Sequence, residues 1–235
     1  MIAIALVVVV SYLLGSVPTS IIVGRLFFGK DLREIGSGNA GGTNAFRAFG
    51  WKGGVPTILV DIGKGAAATL LVSQLPAALS LAASVPTEVL RILAGCAAVI
   101  GHIWTVFAGF RGGKGVATAA GMIASLYPIA LLVSAGVFAI ALFSTGIASV
   151  ASLTAAILFP VVLVVLKALG VSTVSPILFW FSLPVVLLIV FTHRANIRRL
   201  IAGTENRFDR LAIVRRIVRR TGSRRTERSR PPAST

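Results

Sequence analysis

Long apolar runs alternate with short polar stretches along this chain. The runs cover roughly residues 2–23, 55–75, 89–107, 116–127, 129–145, 148–167 and 174–192. Most reach the roughly 18 residues that a bilayer-crossing helix needs. In hydrocarbon, a lone segment satisfies its backbone N–H and C=O groups only as a helix, so the pattern predicts an all-α polytopic membrane protein. The fourth run is short, giving about 18 Å of helix against a core of roughly 30 Å. Tyr127-Pro128 separates it from the fifth, and proline ends or kinks a helix.

Charge decides how the runs are counted. Arg25, Lys30, Arg33, Arg47 and Lys52 mark the first polar stretch as cytoplasmic. Two crossings return the chain to the same side at Arg111 and Lys114, and thirteen arginines follow His193. An even number of crossings must therefore lie between Lys114 and His193, so the short run counts. The expectation is about seven transmembrane helices, with the N-terminus outside, the C-terminus cytoplasmic and both glycine-rich loops on the cytoplasmic side. The first run has no basic region before it and continues past Ser16, so it reads as a retained helix and not a signal peptide.

Composition agrees. Only 13% of residues are charged and mean hydropathy is +0.92, where soluble domains carry about a quarter charged residues. The net charge of +16 fits a cytoplasmic membrane face meeting anionic lipid better than a nucleic-acid surface. Residues 1–207 read as the transmembrane domain and 208–235 as a basic cytoplasmic tail. Phe208, Leu211, Val214, Ile217 and Val218 recur at helical spacing among arginines, as in an interfacial amphipathic helix. From Thr221 onward the composition is that of a disordered segment. The single cysteine, Cys96, excludes an internal disulfide.

Two glycine-rich stretches carry the chemistry. The first is Gly36-Ser37-Gly38-Asn39-Ala40-Gly41-Gly42-Thr43-Asn44-Ala45-Phe46-Arg47, and the second Arg111-Gly112-Gly113-Lys114-Gly115. Glycine lets backbone N–H groups converge on an anion, and a guanidinium binds phosphate oxygens in pairs. One such loop alone reads as tight turns; two on one face, each with a cation, read as phosphate sites. Neither is a nucleotide fingerprint: no strand-helix-strand unit surrounds the first, and Lys114 is followed by Gly115 where a Walker sequence has Ser or Thr.

Asp61 and Lys64 lie inside the second run, three apart on one helical face. They read either as a structural ion pair or as lining for the polar site. His193 and Asn196 share a face at the end of the seventh run. His102 reads as a helix-end hydrogen bonder, and Glu205 as a counter-charge to nearby arginines. No Cys/His or acidic cluster offers a metal site, and no Gly-x-Ser-x-Gly elbow is present. No cofactor is expected. Two other classes stay open on the residues alone: a transporter or channel for phosphorylated anions, and a scaffold recruiting nucleic acid through its tail.

Taken together, these residues resemble the bacterial acyl-phosphate:glycerol-3-phosphate acyltransferase family (PlsY). The likeness includes Gly15-Ser16-Val17-Pro18-Thr19-Ser20, both loops, Asp61-Ile62-Gly63-Lys64-Gly65, Gly101-His102, His193-Arg194-Ala195-Asn196 and Gly203-Thr204-Glu205. It implies a seven-helix inner-membrane enzyme, supplied by an upstream acyl-phosphate-forming enzyme. That enzyme would move a fatty acyl group from acyl phosphate, not acyl-CoA, to the 1-hydroxyl of glycerol 3-phosphate. The products are lysophosphatidic acid and phosphate. It further implies that Ser37 and Arg47 are essential, that Gly112, Gly113 and Gly115 beside Lys114 hold the glycerol 3-phosphate phosphate, that His193 and Asn196 contribute to activity, and that Glu205 is mainly structural. Thr105 stands where the family often has proline, and Ala195 where it often has glutamate.

The expected catalytic set is Ser37, Arg47, Lys114, His193 and Asn196. The expected substrate-binding set is Gly36, Gly38, Asn39, Thr43, Asn44, Asp61, Lys64, Gly112, Gly113 and Gly115. Acyl phosphate is already activated, so the expected mechanism is direct transfer by positioning and charge stabilisation. Arg47 and Lys114 would hold the two phosphates, and the substrate's own phosphate could take the proton. The rival is Ser37 as a nucleophile.

Overall fold

A computed structural model describes residues 1–81, 85–171 and 175–208. The described residues form helices and no strands. The expected amphipathic helix of the tail lies outside them except for its first residue, Phe208, which is not in a helix.

The first apolar run is broken in two. Helix α1 (Ile2–Gly15) and helix α2 (Thr19–Phe28) are separated at Ser16-Val17-Pro18, where proline cannot continue the ladder. The break exposes backbone carbonyls, and neighbours answer them. Lys64 Nζ donates to Val17 O at 3.1 Å, and the Thr105 hydroxyl donates to Ser16 O. Proline at position 105 could not make the latter contact. Ala195, the other departure, is exposed.

Helix α3 (Gly42–Leu70) begins well before the apolar run at residue 55. At Gly50 its backbone leaves helical geometry, with φ 65° and ψ −158°, a region favourable only to glycine. The chain doubles back there. A Cβ on Gly54 would meet Phe46, one on Gly53 would meet Phe49, and one on Gly42 would meet Ile58. Residues 42–49 thus form a re-entrant arm lying against the rest of α3. The expected first loop is half helix, and its helical half dips beside Asp61.

The short helix α4 (Leu75–Ala78) leads on to α5 (Thr87–Ile103), α6 (Val116–Leu126), α7 (Pro128–Thr145), α8 (Ala148–Ala168), α9 (Pro176–Thr192) and α10 (Arg194–Ile201). Among the described residues, five stretches are long and apolar enough to cross a membrane. The α9–α10 pair, bent by 57° at His193, makes a sixth. Helix α6 is the short fourth run, about 16 Å long. Helix α3 packs along α6, α1 along α5 and α7 along α8. The α3–α6 crossing is tight because it uses glycine: a Cβ on Gly65 would strike Thr118 O, and one on Gly121 would strike Ile62 O. Small residues let membrane helices approach closely where hydrophobic exclusion from water gives no drive.

Candidate active site

The architecture brings two helix N-termini to one cavity of about 400 Å³. The first belongs to the re-entrant arm and contributes Gly41, Gly42 and Thr43; the second belongs to α6 and contributes Gly115, Val116 and Ala117. Gly115 precedes α6 with φ 86°. A helix start carries unpaired N–H groups and a partial positive charge, so two together make an anion site. Arg47, one turn into the arm, and Lys114, just ahead of α6, line the same space with Asn39, Asp61, His102, His193, Asn196 and Glu205.

The polar end is a connected network. Lys114 Nζ donates to Asn196 Oδ1. Asn196 Nδ2 donates to Glu205 Oε1 at 2.7 Å, which fixes which way the amide faces. Glu205 also accepts from Arg199 Nε at 2.7 Å and Ser149 Oγ at 3.2 Å. Burial would raise the Glu205 carboxyl, but these donors, Asn196 and Arg199 foremost, hold it below the usual range. Burial lowers Lys114 to about 8, with Arg47 and Arg199 also disfavouring its charge and Glu205 opposing them. His193 is 2% exposed, and its Nδ1 lies 2.8 Å from Ile189 O. A carbonyl only accepts, so Nδ1 carries a proton and Nε2 of the neutral ring keeps a lone pair.

The two cavity carboxylates are already matched. Asp61 lies 2.9 Å from Lys64 Nζ and 3.5 Å from His102 Nδ1, and Glu205 pairs with Arg199. Among the described residues Arg47 and Lys114 have no carboxylate within ion-pair distance, so the cavity keeps two cations for anions from outside.

Away from this end the cavity is apolar. Ile123, Leu131, Phe138, Ala156, Phe159 and Val186 line it. Along α8 the lining runs from Ser149 to Phe159, about 15 Å of helix, turning from serine through alanine to phenylalanine. The cavity thus has a polar end at the helix starts and an apolar end between α6, α7, α8 and α9.

Of the residues named from sequence, Asn39, Thr43, Arg47, Asp61, Lys114, Gly115, His193, Asn196 and Glu205 meet at the cavity, while Gly36, Ser37, Gly38, Asn44, Lys64, Gly112 and Gly113 do not line it. Asn44 is buried and spent on its own loop. Its Oδ1 accepts from Ser37 N at 3.1 Å, and its Nδ2 donates to Ile35 O at 2.8 Å and Leu32 O at 3.2 Å. Lys64 is consumed by Asp61 and the α1–α2 break. The amides of Gly112 and Gly113 donate to Ile103 O and His102 O, each at 3.0 Å, and so close the end of α5 instead of facing the cavity. Glycine is required there by close approach: a Cβ on Gly113 would collide with His102 Nε2. Arg33 joins the two loops, donating to Ala108 O at 3.3 Å and, at 2.8 Å, to Asp31 Oδ2; the Arg33 hydrogen bonds hold Asp31 well below the usual carboxylate range. Sequence reasoning left His102 and Ser149 out of the site. Intramembrane Asp61 was the available signal for His102, since a buried carboxylate needs partners.

A helical membrane-type protein whose cavity joins a cationic, amide-rich end to an apolar chamber has what an enzyme handling phosphorylated lipids requires. The chain is a member of the glycerol-3-phosphate acyltransferase family, whose model matches residues 5–203. A protein of Chlorobaculum parvum named glycerol-3-phosphate acyltransferase is 47% identical over 219 residues, covering 86% of this chain and 94% of that protein. One of the same name from Chlorobium chlorochromatii is 44% identical over 228 residues, covering 88% and 97%. Among solved structures, PlsY (YgiH), described as an integral membrane glycerol 3-phosphate acyltransferase, matches in its glycerol 3-phosphate form with a TM-score of 0.72 and 35% identity over 87% of this chain and 95% of that one. Its lysophosphatidic acid form matches with a TM-score of 0.71 and 32% identity.

Proposed function

We propose that this protein transfers a fatty acyl group from acyl phosphate to the 1-hydroxyl of glycerol 3-phosphate, releasing lysophosphatidic acid and phosphate. Family membership favours acyl transfer over the transporter alternative. The observation that carries the mechanism is the single cavity joining Arg47, Lys114 and two helix N-termini to an apolar chamber.

Arg47 and the start of the re-entrant arm hold the phosphate of acyl phosphate, whose chain lies in the chamber. Lys114, with Asn196 and His193, holds and orients glycerol 3-phosphate. The alcohol oxygen attacks the acyl carbonyl carbon, the carbonyl–phosphate oxygen bond breaks, and phosphate leaves with the electron pair. The hydroxyl proton passes to a substrate phosphate oxygen. The N–H groups at the helix starts stabilise the developing oxyanion. The Ser37 hydroxyl has no hydrogen-bond partner among the described residues and does not line the cavity, which favours direct transfer over an acyl-serine. The protein sits in the inner membrane with seven crossings, its N-terminus outside and its site facing the cytoplasm, as the arginine and lysine distribution directs.

The test is purified protein in detergent given glycerol 3-phosphate with either palmitoyl phosphate or palmitoyl-CoA. Lysophosphatidic acid and phosphate should form in equal amounts from palmitoyl phosphate alone. Release of CoA at a comparable rate, or an acylated Ser37 peptide after acid quench, would defeat the proposal.

A further inference from the structure

The family match ends at residue 203, yet the chain stays packed on the site through Phe208. Glu205 enters the polar network, and the next residues close over Arg47. The guanidinium carbon of Arg47 lies 4.6 Å from the centroid of the Phe208 ring. Its Nη2 donates to Asn206 O at 3.3 Å. Phe46 meets the same ring edge-on, with centroids 6.1 Å apart and planes at 82°. Phe208 is itself fastened, its N–H donating to Gly146 O at 2.7 Å, in the turn between α7 and α8. Arg47 Nε is buried without a partner, and the residue lines the cavity.

The geometry points to Phe208 as a positioning residue for Arg47, clasped over the guanidinium by residues 205–208. An arginine at the start of a helix has many rotamers, and a phosphate can use only a fork held in one plane. The ring covers one guanidinium face by a cation–π contact, which leaves the in-plane N–H groups free. Asn206 O takes one of them and fixes rotation within that plane. Arg47 lines the cavity, and the N–H groups that the clasp leaves open are the ones a phosphate there would meet; Nε itself is held in the buried part of the clasp. The clasp closes at Gly146, so it also ties the re-entrant arm to the α7–α8 end of the chamber. This inference rests on Arg47 binding a substrate phosphate.

The experiment uses the full chain in detergent with Phe208→Ala, Phe208→Leu, Phe208→Tyr, Arg47→Lys and Arg47→Ala. Leucine keeps apolar bulk without a π face, and tyrosine keeps the face. Phe208→Leu and Phe208→Ala should each raise the same Michaelis constant that Arg47→Lys raises, by about tenfold, with kcat within about threefold. Phe208→Tyr should stay close to the unaltered protein. Phe208→Leu added to Arg47→Lys should change little further, because the two act through one contact. Thermal unfolding separates loss of fold from loss of position, and the leucine–tyrosine contrast decides even if the alanine variant does not fold. Normal Michaelis constants for both substrates in Phe208→Leu, with Arg47→Ala inactive, would overturn the clasp while leaving the phosphate role of Arg47 intact. Normal turnover in Arg47→Ala would remove that role first.

Discussion

Glu205 carries no chemistry in the proposed transfer, yet its loss should disable the site. It is 7% exposed and accepts from Asn196, Arg199 and Ser149. Glu205→Ala would leave three donors facing a small void. Arg199 is about one-third exposed, so water can replace most of its pairing, worth ~1 kcal/mol or less. Asn196 and Ser149 are buried, and hydrogen bonds from such groups to a charged acceptor contribute about 1.5–3 kcal/mol each. The sum is roughly 3–7 kcal/mol, and the cost of breaking a buried pair, about 3–5 kcal/mol, falls within it. For a protein of this size that is a fall in Tm of about 10 °C. Asn196 also loses the contact that directs its Oδ1 at Lys114, so turnover should fall with stability, and Glu205→Gln should lie between because its amide accepts from one donor but opposes Arg199. The assay is thermal unfolding in detergent beside steady-state turnover. A Glu205→Ala protein whose Tm stays within about 2 °C and whose turnover is normal would refute the network's role.

Three further outcomes follow from the same geometry. Lys114 titrates near 8, and only its charged form holds phosphate, so kcat/KM for glycerol 3-phosphate should drop as pH rises through about 8, and Lys114→Arg should carry the plateau to higher pH; an unchanged profile would detach Lys114 from substrate. Ala155→Phe or Ala156→Phe should fill the chamber midway and shift preference to shorter acyl phosphates, seen by comparing chain lengths, while glycerol 3-phosphate saturation stays the same. Gly113→Ala should displace His102, costing about 1–3 kcal/mol and most activity, whereas Gly63→Ala, with open space around it, should be neutral or slightly stabilising on thermal unfolding.

Much of this was legible in the sequence because the background is apolar. In a chain with 13% charged residues, each intramembrane ion stands out as a cost that needs a purpose. Asp61 was singled out this way, Arg47 and Lys114 by their glycine-rich loops, and His193 and Asn196 by a shared helix face; all five line the cavity, as does Glu205, which was read as a counter-charge. The same contrast misleads where polarity serves the backbone. Lys64 and Asn44 looked like substrate ligands, but each satisfies carbonyls released by a break or a loop. The glycine pair at Gly112 and Gly113 looked like a phosphate cradle, yet its amides close the end of α5. A glycine read from sequence says that something comes close; it does not say whether that neighbour is a ligand or a histidine.

Apolar residues with specific duties gave no such contrast. Phe46, Phe49 and Phe208 are unremarkable in a chain with thirteen phenylalanines, and nothing local marks the turn at Gly50 as a reversal. That reversal nevertheless sets the site. Without it, α3 would run straight from its first glycine and leave its N–H groups and Arg47 well above Asp61; with it, the arm lies against Ile58 and its start faces the start of α6. Two helix beginnings can meet at an anion below the membrane surface only if both start there, since full-length neighbours present their ends at that surface. The short α6 and the folded-back arm of α3 are therefore two answers to one requirement, a phosphate site recessed far enough to meet an acyl chain.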